Sequence, residues 1–377
     1  MKNVIRTSHI AFIAGIIMSM KCAAMSVETA DYGKTHDGIT VHQYTLTNNN
    51  GMVVKVLDLG GTITQINVPD KKGETRNVVL ELPDVAAYET RPNFSTLVGR
   101  FANRISEGGF TIDGKFYPLT PNNPDSNVTL HGGPQGFFGK MWQAAPISGQ
   151  KHCGVRMTYV SPDGEGGFPG ELKTIATFTL DNQNQLTINY QATTSKPTVV
   201  NFTHHMFINL NSFGSIGNHS IRINGNQYLP MSEKKLVSGE IASVVGTPFD
   251  LRQLTLISDG LSSSDHQIAL GLGFDHNYVL SKKRSGELIE AATVVSKDSG
   301  ISMTISTTEP GIQYYTGNFF NGSVSDVHGR AIQKTFALAL EPQHYPDSPH
   351  HANFPSTILK PGETFNSTTV YKLKTSH

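Results

Sequence analysis

The stretch ELKTIATFTLDNQNQLTINYQATT, residues 171–194, decides the fold class. Two runs in which polar and apolar residues alternate, 171–180 and 185–194, flank the dipeptide Asp181-Asn182. Alternation with a period of two places the apolar side chains on one face of a strand, and Asp and Asn favour tight turns. The stretch therefore predicts two antiparallel strands with one buried face, joined by a turn.

The same alternation recurs from Ile39 onward, with clusters of Gly, Pro, Asn or Asp every eight to twelve residues. Helix signals are scarce, and the best is the short stretch 84–91, which Asp84 can cap and Pro92 can end. Half-buried strands must cover one another, so we expect an all-β domain of stacked antiparallel sheets or a closed barrel over residues 25–377. The further candidate strands lie at 39–46, 52–59, 62–68, 154–160, 275–281, 301–307, 331–342 and 366–373.

The composition excludes several classes of function. Lys plus Arg and Asp plus Glu number 30 each, so the formal net charge of the 377 residues is zero. A neutral chain lacks the positive charge that attracts phosphates, and we expect no nucleic-acid partner. Hydrophobic residues make up 37% and charged residues 16%, which is typical of a folded chain. The sequence contains no dinucleotide-binding glycine motif, P-loop or His-Glu-x-x-His motif, so neither a nucleotide cofactor nor zinc-protease chemistry is predicted.

Residues 1–24 have the character of a secretory signal peptide. Lys2 and Arg6 precede an apolar run at 10–20, and small residues follow, so we expect cleavage at the end of the segment. The run is shorter than the roughly 20 apolar residues that span a bilayer, so no stable membrane anchor is expected. The protein is therefore predicted to be exported, to a periplasm or to the medium. An N-terminal core helix and lipid attachment through Cys22 are the alternatives.

The cysteines and the paired histidines argue against a metal centre. Removal of the signal segment takes Cys22 away and leaves Cys153 alone, so neither a disulfide framework nor a cysteine metal cluster can form. Neighbouring side chains of a strand face opposite ways, so His204 and His205 cannot both enter one pocket. If His205 faces inward, Phe207 shares its face and sets an aromatic ring beside the imidazole. A hydrogen-bonded core histidine is the alternative interpretation.

Several polar residues stand where a ligand could meet them. Arg100, Asn103 and Arg104 lie in a segment too apolar for an ordinary exposed loop, and His131 precedes two glycines that would let a ligand approach the backbone. Arg and Asn are suited to sugar hydroxyls because they offer planar sets of donors and acceptors. Structural pairing of the arginines with carboxylates is the alternative. Asp275 starts a candidate strand after a glycine-rich bend and is either a turn residue or a ligand group.

Glu341 is the most informative single residue. In the run 331–342, Ala337, Ala339 and Glu341 fall on the same face of the predicted strand. The glutamate would project from the end of that strand beside the two alanines, whose small side chains leave room for a ligand. Pro342 restricts it to extended geometry, so the backbone holds the carboxylate in place.

Six motifs that include these residues occur in one order along most of the mature chain. They are GRFANRI (99–105), LHGG (130–133), NFTHHMFINL (201–210), GFDHNY (273–278), GIQYYTGN (311–318) and LEPQHYPD (340–347). In this set and order the chain closely resembles the aldose 1-epimerases, also called galactose mutarotases. The resemblance implies a β-supersandwich, in which large layered antiparallel sheets form a concave sugar site, and it implies that no cofactor is needed.

The resemblance also implies a role for each matching residue. Glu341 would be the general base and His205 the general acid. The residues expected to bind sugar hydroxyls are Asn103, Arg104, His131, Asp275 and Gln313. The chain departs from the family at Phe207, where a phenol is common, and at His204, where asparagine is usual. These departures put the sugar preference in doubt more than the reaction.

The residue types make the reaction intelligible. Interconversion of α and β anomers removes the proton of the C1 hydroxyl and protonates the ring oxygen, so that the ring opens, rotates and recloses. We expect one base and one acid on opposite sides of the sugar, with Glu341 ionised and His205 kept protonated by a neighbour such as Asp275. The predicted substrates are free aldoses such as glucose and galactose, and the protein is expected to be a monomer or weak dimer.

Three other functions use similar residues. A carbohydrate-binding module without turnover would need neither the base nor the acid. An epimerase of phosphorylated hexoses would need a cluster of Arg or Lys for the phosphate. A glycoside hydrolase would need two opposed carboxylates, for which only Asp275 is available beside Glu341.

Overall fold

A computed structural model describes residues 25–376, and alternation of buried and less buried residues runs through its long strands. In Leu172–Asp181 every second residue is buried, and this strand pairs antiparallel with Gln185–Thr194. The predicted strand pair at 171–194 is therefore confirmed. The predicted signal peptide, residues 1–24, lies outside the described residues.

The described chain is mainly β-structure, and its strands are numbered in chain order. The first fifteen are β1 Ser26–Lys34, β2 Thr40–Thr47, β3 Val53–Leu57, β4 Ile63–Pro69, β5 Thr75–Asn77, β6 Leu97–Val98, β7 Arg104–Ile105, β8 Gly109–Ile112, β9 Lys115–Pro118, β10 Thr129–Leu130, β11 Gln143–Ser148, β12 His152–Ser161, β13 Leu172–Asp181, β14 Gln185–Thr194 and β15 Thr198–Val199. The others are β16 Thr203–His204, β17 His219–Ile223, β18 Gly225–Tyr228, β19 Ala242–Ser243, β20 Thr255–Leu256, β21 Asp275–Leu280, β22 Ile289–Ser296, β23 Ile301–Thr307, β24 Gly311–Tyr315, β25 Asn321–Ser325, β26 Ala331–Gln333, β27 Ala339–Gln343, β28 Ile358–Leu359 and β29 Phe365–Thr375.

Three large antiparallel sheets form the body of the protein. One has nine strands in the order β11-β12-β13-β14-β29-β23-β22-β17-β20, and two have five, β1-β2-β3-β4-β5 and β19-β18-β21-β24-β27. Side chains of all three meet in one buried hydrophobic cluster, for example Ile66 of β4, Phe178 of β13 and Tyr314 of β24. The predicted all-β, layered architecture is confirmed, and the stacking follows because each sheet must cover an apolar face.

Helices are short and few within residues 25–376. The α-helices are α1 Val85–Glu89, α2 Ile257–Leu261 and α3 His266–Gly271, and short 3-10 turns lie at Phe137–Gly139, Glu165–Gly167, Ile216–Asn218 and Ser348–His350. The predicted cap of α1 is confirmed, because the Asp84 side chain accepts a hydrogen bond from the Ala87 N–H at 2.9 Å. No helix in this range has the length and apolar character needed to cross a membrane.

The candidate strand 331–342 is wrong as one continuous element. It divides into β26, which pairs with β25, and β27, which belongs to a five-stranded sheet. The Phe336 N–H donates to the Gln333 carbonyl in a turn, and Thr335 has a φ of 65°, so the chain changes sheets here. Glu341 does not end β27, because Pro342 continues it in register with Ile312. An edge strand tolerates proline where the missing N–H faces outward.

Gly132, next to the candidate residue His131, is held by close packing. Its φ is 83°, and a Cβ atom built on it would lie 2.0 Å from the Gly99 carbonyl oxygen. The two glycines after His131 thus allow backbone segments of the chain to approach closely, since a Cβ atom built on Gly133 would likewise lie 2.8 Å from the Thr120 carbonyl oxygen. The structure therefore gives both glycines a packing role, which the expectation of ligand access to the backbone did not include.

Gly132→Ala is expected to destabilise the fold more than Gly114→Ala. Gly114 has a φ of 79° but nothing within 4 Å of a built Cβ, so it isolates the backbone effect. The left-handed conformation costs roughly 1–2 kcal/mol in both variants, and overlap adds about 1–3 kcal/mol at Gly132 only. Urea denaturation measures both, and equal losses of unfolding free energy would contradict the packing role.

Candidate active site

Three adjacent strands present polar side chains on one face of their sheet. Asn277 of β21 lies opposite Gln313 of β24, which lies opposite Glu341 of β27. Residues directly opposite in an antiparallel ladder point to the same face, as does Asp275, two residues before Asn277. Alternation along three strands therefore brings together carboxylates that are far apart in sequence.

Two tight segments beside this sheet supply Asn103, Arg104 and His131. The two-residue strands β7 and β10 pair, and the chain turns at both ends with φ values of 64° at Asn103 and 53° at His131. The His131 Nδ1 accepts a hydrogen bond from the Asn103 N–H at 3.1 Å, and the His131 N–H donates to the Asn103 carbonyl at 2.9 Å. These reciprocal bonds fix the imidazole of His131 relative to its neighbours.

His204 and His205 face opposite ways, as predicted for neighbours in extended chain. His204 is buried, with its Nε2 at 3.1 Å from the Gly61 carbonyl and its ring edge-on to Phe178. Burial lowers the pKa of His204 to about 3, so its ring is neutral and its Nε2–H donates to the carbonyl. His205 instead faces the polar sheet, and its ring centroid lies 4.8 Å from that of Phe207.

These groups line a cavity of about 200 Å³. Inside it the His205 Nε2 lies 3.5 Å from the Glu341 Oε1. The walls are formed by Pro92, Asn93, Asn103, Arg104, Leu130, His131, His205, Phe207, Asp275, Tyr315, Phe319 and Glu341. A buried glutamate and a histidine in contact, surrounded by hydrogen-bonding groups, can move protons on a small polar ligand.

Burial favours the neutral forms of Glu341 and His205 in the empty cavity. Burial, followed by the charge of Asp275, raises the pKa of Glu341 well above its usual range, and the charge of Arg104 opposes this. Burial lowers the pKa of His205 to about 4, although Asp275 opposes the shift. Burial of both groups therefore acts against the expected ionised glutamate and protonated histidine in the empty site. Desolvation outweighs the charge of the neighbour.

Asp275 is held by two other polar residues. Its Oδ1 accepts a hydrogen bond from the Gln313 Nε2 at 2.8 Å, and its Oδ2 lies 3.6 Å from the Arg104 Nη2. The Arg104 Nη1 also donates to the Asn103 Oδ1 at 3.3 Å. These contacts form a connected row of donors and acceptors along one wall, and they leave Gln313 behind Asp275 rather than on the cavity wall.

His131, His205 and Glu341 lie close enough together to suggest a metal site, because their candidate ligand atoms lie within 4.8 Å of one another. The hydrogen bond from the Asn103 N–H occupies the lone pair of the His131 Nδ1. Burial lowers the pKa of His131 well below its usual value, so the neutral ring carries its proton on Nε2. An N–H group is a hydrogen-bond donor and not a metal ligand. The arrangement suits a sugar oxygen better than a cation.

Comparison with known proteins fits this geometry. The family model described as Aldose 1-epimerase matches residues 42–372. The chain belongs to the aldose 1-epimerase family. The galactose mutarotase of Sus scrofa is 39% identical over 349 residues, which cover 92% of this chain and 98% of that protein. The aldose 1-epimerase of Escherichia coli K12 is 36% identical over 341 residues, which cover 89% and 96% of the two chains.

Solved structures agree with the fold of this aldose 1-epimerase. The galactose 1-epimerase of Lactobacillus acidophilus superposes with a TM-score of 0.83 at 29% identity, covering 94% of this chain and 100% of that one. An aldose epimerase homologue from C. elegans superposes with a TM-score of 0.79 at 25% identity, with the same coverage of both chains. The predicted mutarotase-like fold and aldose 1-epimerase activity are thereby confirmed.

The structure places most of the predicted site residues of the epimerase together and separates one other candidate from them. Six of the seven residues predicted by resemblance line the cavity, and Gln313 contacts Asp275 from behind. Arg100 is structural: its guanidinium donates to Ser161 and to the carbonyls of Pro162 and Pro169. Three of its four hydrogen bonds go to carbonyl oxygens. Burial lowers the pKa of Arg100 to about 10, and the nearby charges of Glu165 and Asp163 oppose this shift.

Five wall residues were missed by the sequence reasoning: Pro92, Asn93, Leu130, Tyr315 and Phe319. Tyr315 lies two residues after Gln313 in β24, so the period of two could have placed it on the same face. Leu130 ends β10 immediately before His131. Pro92, Asn93 and Phe319 lie outside regular strands, in segments that carry no periodic signal. Their position depends on how loops fold over the sheet.

Proposed function

We propose that this aldose 1-epimerase interconverts the α and β anomers of free hexoses such as glucose and galactose, with Glu341 as general base and His205 as general acid. The observation that carries the assignment is the 3.5 Å separation of the His205 Nε2 and the Glu341 Oε1 within the cavity. The C1 hydroxyl and the ring oxygen are bonded to the same carbon. An acid and a base that act on them must therefore converge on one point of the sugar, and the expected placement on opposite sides of the sugar is not needed.

The neutral pair in the empty site fits a cycle in which the roles reverse. Ring opening moves one proton from the C1 hydroxyl to Glu341 and another from His205 to the ring oxygen. The pair is then neutral, which is the state that burial favours at rest. Reclosure on the other face returns both protons. A neutral pair and an ionised pair hold the same number of protons, so transfer between Glu341 and His205 prepares the site without exchange with solvent.

The other polar residues would hold the sugar hydroxyls. The His131 Nε2–H is a fixed donor, and the Arg104 guanidinium and the Asp275 carboxylate supply a donor and an acceptor at the same wall. Phe207 and Tyr315 add apolar surface on which a pyranose ring can pack. Each proton-transfer group typically contributes about 10²- to 10⁴-fold to the rate, which is ample to exceed slow spontaneous mutarotation.

Polarimetry on freshly dissolved α-D-glucose and α-D-galactose tests the proposal. Purified protein should accelerate relaxation to the same final rotation that the uncatalysed solution reaches. No acceleration with either sugar would contradict the assignment and favour phosphorylated hexoses or sugar binding without turnover. Sugar-dependent thermal stabilisation would then separate these two. Release of sugar from glycosides would favour a hydrolase with Asp275 and Glu341 as its carboxylates.

The pH profile of kcat/KM should shift in opposite directions in Asp275→Asn and Arg104→Gln. The Glu341–His205 pair is expected to be active when it holds one proton in total. On the acid side, activity falls as His205 is protonated, and burial lowers the pKa of His205 to about 4. On the alkaline side, activity falls as Glu341 ionises, and burial raises the pKa of Glu341. Asp275 raises both pKa values, so its loss should move both limbs to lower pH. Arg104 lowers the pKa of Glu341, so its loss should move the alkaline limb up. Unmoved limbs in both variants would contradict the assignment of the pair.

We also propose that the enzyme is exported and that it works as a monomer or weak dimer without a membrane anchor. The charged, apolar and small-residue regions of residues 1–24 support export. Expression with the natural N-terminus, followed by fractionation and N-terminal sequencing, tests this. A cytoplasmic product that retains Met1 would contradict it, and size-exclusion chromatography checks the oligomeric state.

A further inference from the structure

Asp347 lies behind the sugar-binding wall, next to Arg104. Only 3% of its surface is exposed, and it borders a small cavity of about 10 Å³ that also touches Asn103, Arg104 and Asp275. The carboxylate is too far back to be one of the groups that line the main cavity. Its role in the epimerase therefore depends on the residues to which it is hydrogen-bonded.

The contacts of Asp347 converge on one short segment. Its N–H donates to the Arg104 carbonyl at 2.8 Å. Its Oδ1 accepts from the Ser106 N–H at 2.9 Å, and its Oδ2 accepts from the Ser106 hydroxyl at 2.7 Å. The His350 Nδ1 lies 2.7 Å from Oδ1, and the His351 Nε2 lies 3.7 Å from Oδ2. A single residue thus binds both the backbone and a side chain of the segment that carries Arg104.

These hydrogen bonds occupy an edge of β7 in the way that a neighbouring strand would. In extended chain the carbonyl of residue i and the N–H of residue i+2 point to the same edge. Arg104 and Ser106 stand in that relation, so Asp347 binds one edge of β7, while β10 pairs with β7 along Arg104 and Ile105. A strand of two residues has few bonds of its own. The φ of 56° at Asp347 turns its N–H and its carboxylate toward the same segment, and Asp tolerates this conformation better than most residues.

We infer that Asp347 is a positioning residue that sets the place of Arg104 in the sugar site. Asp347 follows Glu341 by six residues in the same segment, so it also ties the segment of the general base to that of Arg104. Displacement of β7 would change the separation of 3.6 Å between the Arg104 Nη2 and the Asp275 Oδ2, and with it the wall that meets the sugar. The inference rests on the proposed function, because its readout is anomer interconversion.

Asp347→Asn tests the inference against Asp326→Asn. Asparagine keeps the size and the tolerance for positive φ but replaces one acceptor oxygen by a donor. Asp326 is equally buried and also accepts from backbone N–H groups, those of His328 and Arg330, but outside the sugar site. We expect Asp347→Asn to raise KM and to lower kcat/KM about 10- to 100-fold, as small misplacements of binding groups do. Asp326→Asn should lower Tm comparably and keep the wild-type kcat/KM.

A double-mutant cycle with Arg104→Gln separates positioning from general damage. If Asp347 acts through Arg104, the Arg104→Gln variant has already lost the contribution of Asp347. Adding Asp347→Asn to Arg104→Gln should then lower kcat/KM little further. Additive losses would overturn the inference, and so would a wild-type KM in Arg104→Gln. If Asp347→Asn does not fold, Ser106→Ala tests the inference instead, because it removes only the hydrogen bond from the Ser106 hydroxyl to Asp347. Ser106→Ala should then raise KM, but less than the loss of the whole carboxylate would. A wild-type KM in Ser106→Ala would then overturn the inference. Absence of activity in the wild-type protein would instead count against the proposed function.

Discussion

Glu341→Gln is expected to reduce kcat about 10²- to 10⁴-fold without loss of stability, because glutamine keeps the shape of the side chain but cannot accept the proton of the C1 hydroxyl. Glu341 is 2% exposed, and burial raises its pKa. Between the unfolded pKa and the raised folded pKa, the folded state holds a proton that the unfolded state has lost. Stability therefore falls as pH rises from the unfolded pKa to the folded pKa, and glutamine removes this cost. Polarimetry and urea denaturation at pH 7 measure the two effects.

Glu309→Gln is the matched control for the loss of a buried glutamate. Glu309 is 3% exposed but lies 2.6 Å from the His344 Nδ1, and the charge and hydrogen bond of His344 hold its pKa below the usual value against the effect of burial. A lowered carboxyl pKa contributes stability that is present above the unfolded pKa and lost on acidification. Glu309→Gln should therefore lower Tm at neutral pH and retain far more activity than Glu341→Gln. A Glu341→Gln variant that is unfolded, or as active as the wild type, would contradict the role of the base.

His205→Asn is expected to lower kcat by a similar factor, about 10²- to 10⁴-fold. Asparagine can donate a hydrogen bond but cannot transfer a proton to the ring oxygen. The nearest alternative acid is His131, whose ring centroid lies 5.3 Å from that of His205. Its Nδ1 is already an acceptor, and burial lowers its pKa well below the usual value, so it is a poor substitute. Initial rates of anomer interconversion at neutral pH measure the loss.

His204→Asn is the control for His205→Asn, since the two histidines are adjacent and both are buried. His204 faces Gly61 and Phe178, away from the cavity. Loss of its hydrogen bond should lower Tm while kcat stays close to the wild-type value. If the two variants lost activity equally, backbone disturbance rather than acid catalysis would explain the effect. Unchanged activity in His205→Asn would transfer the acid role to His131.

The strands could be predicted because the alternation of buried and exposed positions is visible in residues that are neighbours in the sequence. Alternation in 171–194 needs only a buried face and a turn, and both are local properties. The run 331–342 shows the limit of this reasoning. Its alternation is real, but a turn at Thr335 sends the two halves to different sheets. Which sheet a strand joins depends on partners that are remote in sequence, so alternation alone cannot reveal it.

The charges of the site show a second limit. Reference pKa values led to an ionised Glu341 and a protonated His205, because sequence shows the residue type but not its distance from water. The structure buries both groups, and desolvation acts against their charged forms. Asp347 was missed as a functional candidate for a related reason, since its contacts with Arg104 and Ser106 join segments about 240 residues apart.

The sequence by itself determined the class of fold, the family and the set of chemical groups in the site. These depend on local periodicity and on the order of short motifs along the chain. Only the tertiary structure decided that Glu341 and His205 converge on one point, that burial favours the neutral form of both, and that Arg104 is held from behind by Asp347. Proton affinity and side-chain position depend on through-space distances and on exclusion of water, and these exist only once the sheets have packed together.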